Sequence, residues 1–316
     1  QAPLLRVGML KVQETRTLLL VDMHHIISDG VSLGILERDF TTIYRGGTLP
    51  LLKIGYKDFS QWQNTGKVKE NIEQQENYWL KEFEREVPVL NMPTDYPRPG
   101  VRDFAGDSLA FDLSAHQAGI LKQIALRGNA TLYMVLLAVY NVMLAKISGQ
   151  EEIVIGAPIA GRRHADLEKI IGMFVNTLVL RNYPRGEKSF SEFLRRLAAN
   201  TLEAFENQDY QFEDLVEKVA ITRDIGRNPL FDVVYILQNI FETPAEGPAP
   251  GQQPQPGLPP ANRTAKFDLT LMAIETTASL HITFQYCTKL FKPETIRRVC
   301  EWVKRYPSRM SLRRAV

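Results

Sequence analysis

Thr17-Leu18-Leu19-Leu20-Val21-Asp22-Met23 is an almost unbroken apolar run, and soon after it the spacing of apolar side chains changes. Leu33, Leu36, Phe40 and Ile43 recur at helical intervals. This switch of period constrains the chain more than any other feature. A near-continuous apolar strand suits a place buried on both faces of a sheet. A strand that runs directly into an amphipathic helix is the repeating unit of α/β folds. Between the two lies His24-His25-Ile26-Ile27-Ser28-Asp29-Gly30, with Ser32 available as a helix N-cap and Gly46-Gly47 as a stop.

The same alternation continues downstream. Residues 4–12 and 15–25, separated by Gln13-Glu14, read as a strand pair. Residues 56–86 read as two helices broken near Gly66. Pro93-Thr94-Asp95-Tyr96-Pro97-Arg98-Pro99-Gly100 bars both helix and central strand, so it reads as an extended connector and a lobe boundary. Beyond it the pattern predicts a strand at 108–113, a Ser114-capped helix to Leu126 and a Thr131-capped apolar helix to Ile147. Strands follow at 152–158 and 174–180, then a helix at 189–205 and a strand at 230–237. A hairpin at 266–274 and 280–286 leads to a last helix at 293–304, after which 305–316 is basic and lacks helical spacing. The expected organisation is residues 1–98 in a first lobe and 99–316 in a second. Residues 243–262 hold seven of the 18 prolines and three glycines, a low-complexity Pro/Gly-rich loop.

Composition removes several classes of function. The 316 residues are 44% hydrophobic and 23% charged, which excludes a disordered or fibrous chain. Lys and Arg number 38 against 36 Asp and Glu, so no global basic field points to nucleic acid or to an anionic membrane. No charged-then-apolar leader opens the chain, and no apolar run approaches the roughly 18 residues of a membrane helix. Cys287 and Cys300 cannot build a disulfide framework, so the expectation is a reducing, cytoplasmic setting.

The His24–Gly30 turn holds the chemistry. Adjacent histidines on a strand face opposite sides, so at most one serves a given cavity. An imidazole held at a strand end is suited to proton transfer near neutral pH. A histidine that merely packs and hydrogen-bonds fits the spacing equally well. A metal pair lacks accompanying ligands at metal spacing, and no G-x-S-x-G supplies a hydrolase nucleophile. Asp29 can support the turn or pair with an arginine. Gly30 allows a tight turn and close approach of a ligand, and the amides opening the helix favour an oxyanion. Elsewhere, Tyr56, Phe59 and Trp62 form an aromatic packing face, and Arg162-Arg163-His164 reads as a solvated basic loop. His116 and His281 have no partners at meaningful spacing.

His24–Gly30 resembles the HHxxxDG motif shared by chloramphenicol acetyltransferase, dihydrolipoyl acyltransferases and the condensation domains of nonribosomal peptide synthetases. Four further segments resemble condensation-domain motifs in the family's order. Tyr56-Lys57-Asp58-Phe59-Ser60-Gln61-Trp62 resembles Y-x-D-[FY]-x-x-W, and Gly172-Met173-Phe174-Val175-Asn176-Thr177 resembles G-x-F-V-N-T. Asn207-Gln208-Asp209-Tyr210-Gln211-Phe212-Glu213 resembles [HN]-Q-D-x-P-F-E, with Gln211 in the proline place. Arg223-Asp224-Ile225-Gly226-Arg227-Asn228-Pro229-Leu230 resembles R-D-x-S-R-N-P-L, with Gly226 in the serine place.

The resemblance implies an α/β, two-lobed chloramphenicol acetyltransferase-like fold with HHxxxDG between the lobes. Two family motifs that precede HHxxxDG have no counterpart in the 23 residues before His24, so it also implies an incomplete first lobe, and leaves open whether this stretch alone is active. The implied reaction is amide formation between donor and acceptor thioesters in nonribosomal peptide, and so antibiotic, biosynthesis. No cofactor or metal is bound directly; substrates ride on the 4′-phosphopantetheine of carrier proteins. The implied partners are upstream and downstream peptidyl carrier proteins and an adjacent adenylation domain, with no nucleic acid and no membrane. His25 is the implied catalytic residue, supported by His24, Asp29 and Gly30. Asn176, Thr177 and Arg181 are implied site-lining or lobe-contact residues, Arg181 as a partner for Asp29. An epimerisation domain, a small-molecule acyltransferase and a non-catalytic condensation-like module share parts of the pattern.

Overall fold

The computed structural model describes residues 3–219, 224–239, 263–276 and 279–312. The Pro/Gly-rich loop at 243–262 and Arg223 lie outside them. The chain is mixed α/β, as its alternation of periods predicts, and divides into two compact units.

The first unit comprises Gln1–Asn77, Ile159–Asn176 and Gln208–Gln211. It opens with β1 (Leu5–Gln13) and β2 (Arg16–Met23), an antiparallel ribbon in which Leu5 faces Met23 and Lys11 faces Thr17. Strand β2 was expected to be buried on both faces, and this is corrected: every residue from Leu5 to Asp22, in both strands, is exposed, because no further strand or helix layer covers either face among the described residues. Helix α1 (Gly30–Tyr44) begins earlier than the Ser32 cap predicts; Asp29 is the N-cap. Helix α2 (Tyr56–Gln63) and the start of α3 (Gly66–Glu82) fall either side of the break expected near Gly66.

The second unit comprises Tyr78–Pro158, Thr177–Asn207 and Phe212–Val316. Its elements are β3 (Gly106–Leu113), α4 (Ala115–Arg127), α5 (Leu132–Ser148), β4 (Ile153–Ile159), β5 (Asn176–Asn182), α6 (Phe190–Glu206), α7 (Phe212–Lys218), β6 (Val233–Asn239), β7 (Leu269–Glu275), β8 (Leu280–Cys287) and α8 (Pro293–Leu312). The sheet runs β3-β8-β7-β6-β4-β5, antiparallel where β8 meets β3 and β7, parallel from β7 to β6 and β6 to β4. Its middle helix, α5, is apolar nearly all round, which fits burial on several sides rather than one. Thr131 caps it at one end by accepting from the Met134 amide at 3.3 Å, and Gly149 ends it in the left-handed conformation. Tyr140 and Tyr235 are fully buried, and each hydroxyl donates to a backbone carbonyl, of Leu269 and Tyr133. Helix α8 runs past the end predicted at Lys304: Tyr306 stacks on Trp302 and meets Phe190 edge-on, an i,i+4 aromatic pair that carries the helix through Pro307.

The unit boundaries differ from the expected division at 98/99. They change at Asn77–Tyr78, and two later stretches join the first unit. The reason is visible in the side chains: residues 159–176 and 208–211 supply the groups that satisfy Asp29 and Gln75. No single helix among the described residues is long and apolar enough to cross a membrane.

Candidate active site

Strand β2 ends at Met23, so neither histidine sits on the strand and the opposite-faces expectation does not apply. They form a single 3₁₀ turn instead. The His24 amide donates to the Leu4 carbonyl at 2.8 Å, which ties the turn to the start of the ribbon. The His24 imidazole accepts at Nδ1 from the Ile26 amide at 3.1 Å, so in the neutral ring the proton is on Nε2. His25 has the reverse arrangement. Its Nδ1 lies 2.7 Å from the Ser28 carbonyl oxygen. A carbonyl only accepts, so Nδ1 carries the proton and Nε2 keeps the lone pair. Both rings are exposed.

Asp29 lies buried directly after this exposed turn, and its carboxylate is fully used. Oδ1 accepts from the Ser32 amide at 2.8 Å, capping α1. Oδ2 accepts from the Phe174 amide at 3.1 Å. The Arg162 Nη2 donates to both oxygens, at 2.8 and 3.1 Å. The ion pair is withdrawn from water: the Arg162 side chain is 4% exposed and that of Asp29 0%. Burial lowers the pKa of Arg162, and the adjacent Asp29 carboxylate opposes that shift. The guanidinium also lies over the Phe174 ring, 4.0 Å from its centroid.

Ser32 extends the network. Its hydroxyl donates to the Gly172 carbonyl at 2.9 Å and accepts from the Gly172 amide and from Arg162 Nη2. Gly172 is required here, because a Cβ would stand 2.1 Å from the Tyr56 ring. Tyr56 donates to the Met173 carbonyl at 2.8 Å and meets Phe174 edge-on, while Phe59 packs on Phe174 at 4.7 Å. Burial raises the Tyr56 pKa, helped by Asp29 and opposed by Arg162. Of the predicted aromatic face, Phe59 is buried with Ile170 and Phe174, while Trp62 is largely exposed.

The partner expected for Asp29 was Arg181, and this is corrected. Arg181 is buried against Glu152 and donates to the carbonyls of Glu82, Arg85 and Glu86, sealing the end of α3. Arg162, read from the sequence as part of a solvated basic loop, takes the role. Its signal lay in the preceding residue: Gly161 has φ +63°, and a Cβ there would lie 2.0 Å from the Phe174 carbonyl oxygen, so only glycine lets the chain turn there and aim Arg162 at Asp29.

Asn176 is buried at the start of β5. Its amide nitrogen donates to the carbonyls of Gln208 and Tyr210, at 2.8 and 2.7 Å, and fastens the 208–211 loop. The same loop is held by Gln75, whose Oε1 accepts from the amides of Asp209 and Tyr210. Thr177 is half-buried on β5. Gly30 has an ordinary backbone, and a Cβ there would meet nothing within 4 Å. The expectation that Gly30 makes the turn is therefore corrected: open space, not backbone strain, distinguishes it. Among the described residues no group of three or more His, Cys, Asp or Glu is placed to hold a metal ion.

The family model described as Condensation domain matches residues 1–309. Tyrocidine synthase 3 of Brevibacillus parabrevis is 50% identical over 301 residues, which cover 94% of this chain and 4% of that protein. The chain thus spans a small part of the synthetases it matches. The crystal structure of a four-domain nonribosomal peptide synthetase bound to AMP and glycine superposes with a TM-score of 0.85, at 24% identity, over 99% of this chain and 25% of that one. An epimerization domain from a tyrocidine synthetase shares the fold at TM-score 0.70 and 17% identity, over 97% of this chain and 71% of that one. With the family model spanning nearly the whole sequence, the chain belongs to the condensation domain family of nonribosomal peptide synthetases.

Proposed function

We propose that this chain catalyses amide formation between two thioesters carried on the phosphopantetheine arms of upstream and downstream carrier proteins, within a cytoplasmic synthetase that also contains an adenylation domain. The nitrogen of the acceptor aminoacyl thioester attacks the donor carbonyl carbon, the C–S bond breaks, and the thiolate leaves as the lengthened chain passes to the acceptor. The observation that carries this reading is the His25 Nδ1–H bond to the Ser28 carbonyl, which leaves Nε2 as an exposed acceptor at the end of the turn. His25 then accepts a proton from the attacking amine or holds it by a hydrogen bond. Positioning of the two thioesters lowers the barrier by as much as ~7–11 kcal/mol.

Asp29 does not move protons in this scheme. With both oxygens committed to Arg162 and to two backbone amides, it locks the turn and so the His25 ring. His24 fixes the turn from the other side, and the open space beside Gly30 admits the thioester chain. Asn176, Thr177 and Arg181 serve as supports rather than as reacting groups.

The test is a carrier-loading assay with aminoacyl donor and acceptor carrier proteins and the full chain. Wild type is expected to form dipeptidyl thioester on the acceptor, and His25→Ala to lose it with an unchanged circular dichroism spectrum. Product at the wild-type rate from His25→Ala would sink the role given to His25. Inversion of the donor α-carbon without amide formation would assign epimerisation instead.

A further inference from the structure

A cavity of about 270 Å³ in the second unit is lined by four cations, Arg85, Arg185, Lys188 and Arg196, and by no carboxylate. It sits where β5 ends and α6 begins. Glu192 lies 3.7 Å from Lys188 and 3.9 Å from Arg196 and is shared between them, while Glu152 hydrogen-bonds the lining Tyr183. Arg85 and Arg185 have no ion pair among the described residues. Lys188 is the costly member: its side chain is only 16% exposed, with that one distant acid for company.

Asn182 supplies an independent sign of a ligand. The residue lines the same cavity and is 2% exposed, yet its side-chain amide nitrogen is buried without a hydrogen-bond partner. An unmet buried donor costs about 1–3 kcal/mol; Tyr133, Asn141, Arg162, Asp232 and Tyr286 also hold a buried polar atom without a partner, and Asn182 is the one of these residues that lines this cavity. A buried N–H beside four cations is complementary to an oxyanion. Guanidinium forks match the oxygens of phosphate in pairs, and a dianion answers more of the charge than a carboxylate does. The volume falls just under the roughly 300–1,000 Å³ of pockets for drug-sized ligands.

We propose that the Arg85–Asn182–Arg185–Lys188–Arg196 cavity binds inorganic phosphate or a small phosphate ester. The site shares no residue with the His25 turn and does not depend on the reaction assigned to it.

Isothermal titration calorimetry of the full chain tests this, with inorganic phosphate in one arm and glycerol phosphate in the other, at an ionic strength held constant with chloride. Saturable one-to-one binding is expected. It should weaken about tenfold or more in the Arg185→Gln/Lys188→Gln double variant and in Asn182→Leu, the loss expected for one charge-assisted hydrogen bond or more. Arg38→Gln, in an exposed pair with Asp39 on α1, should bind as wild type does. Tighter binding of the ester assigns the site to an ester, and equal binding assigns it to free phosphate. Asn182→Leu adds a second readout. Without phosphate it should melt at or above the wild-type temperature, because it removes an unmet donor, and it should gain nothing when phosphate is added. Absence of saturable heat at millimolar phosphate, or equal affinity in wild type and both cavity variants, overturns the proposal. So does a lower melting temperature of Asn182→Leu without phosphate.

Discussion

Two sheets in this chain are built from sequence that looks alike and end in opposite environments. In β7 and β8, Leu269, Leu280, Ile282 and Phe284 are all fully buried. In the β1–β2 ribbon, Leu5, Val7, Leu10, Leu19 and Leu20 are all exposed, and Met9 is 79% exposed. The central strands are covered by partners on both edges and by α5; the ribbon has one partner strand and no layer on either face among the described residues. An apolar run therefore reports that a strand is suited to being covered, not that the surrounding chain covers it. An uncovered apolar surface of this kind is the sort that marks an interface or an aggregation hazard in other proteins. His25 stands at the end of that exposed ribbon, so its turn takes its rigidity from downstream, through Asp29 and Arg162, rather than from the strand that leads into it.

The contrast is open to direct attack. The largest effect is expected in the buried sheet: Phe284→Ala should cost about 3–5 kcal/mol in urea denaturation, whereas Leu19→Ala in the ribbon should stay within about 0.5 kcal/mol. A cost above ~2 kcal/mol at Leu19 would show that the ribbon is covered in solution. Next comes the lock on the turn. Arg162→Lys keeps the charge but loses the two-oxygen contact to Asp29 and the stacking on Phe174, and should cost about 1–3 kcal/mol in the same measurement. An unaffected Arg162→Lys would shift the anchoring of the turn to the Ser32 and Phe174 amides.

The smallest effect is on thiol reactivity. Burial pushes the Cys300 thiol up to about 11 and raises that of Cys287 as well. A raised pKa leaves less thiolate at any given pH, so at pH 8 roughly one Cys300 in a thousand is the reactive form. Both native cysteines should label slowly with a disulfide reagent at pH 8 and faster as pH rises toward 11. A cysteine placed at Met9 should label at the rate of a free thiol. Slow labelling at that position would again mean a covered ribbon.

Much of the local structure was legible residue by residue. Ser114 and Thr131 cap the helices they were expected to cap, because an N-cap is satisfied by amides two or three residues away. Gly66 parts two helices as expected. The HHxxxDG turn was legible as a motif, but its details were not. The tautomers of His24 and His25 follow from the Ile26 amide and the Ser28 carbonyl, whose directions depend on a 3₁₀ turn that the apolar spacing does not encode. The extent of α8 was misread because residues beyond Lys304 lack helical spacing of apolar side chains, yet the helix continues through Pro307 to Leu312, with Tyr306 stacked on Trp302.

By itself the sequence determined the α/β alternation, the Ser114 and Thr131 helix caps and the family, since each depends on residues close together in the chain or on motifs read in order. The tertiary structure alone decided which arginine meets Asp29. Arg162 and Arg181 are equally cationic, and they lie 133 and 152 positions from Asp29, distances over which spacing carries no information. What chose between them was local backbone and burial. Gly161, with a φ only glycine adopts readily, turns Arg162 toward the Asp29 carboxylate, while Arg181 is held against Glu152 and three carbonyls at the end of α3. Burial of the strands was decided at the same level, because whether an apolar face is covered depends on the elements that pack against it and not on the face itself.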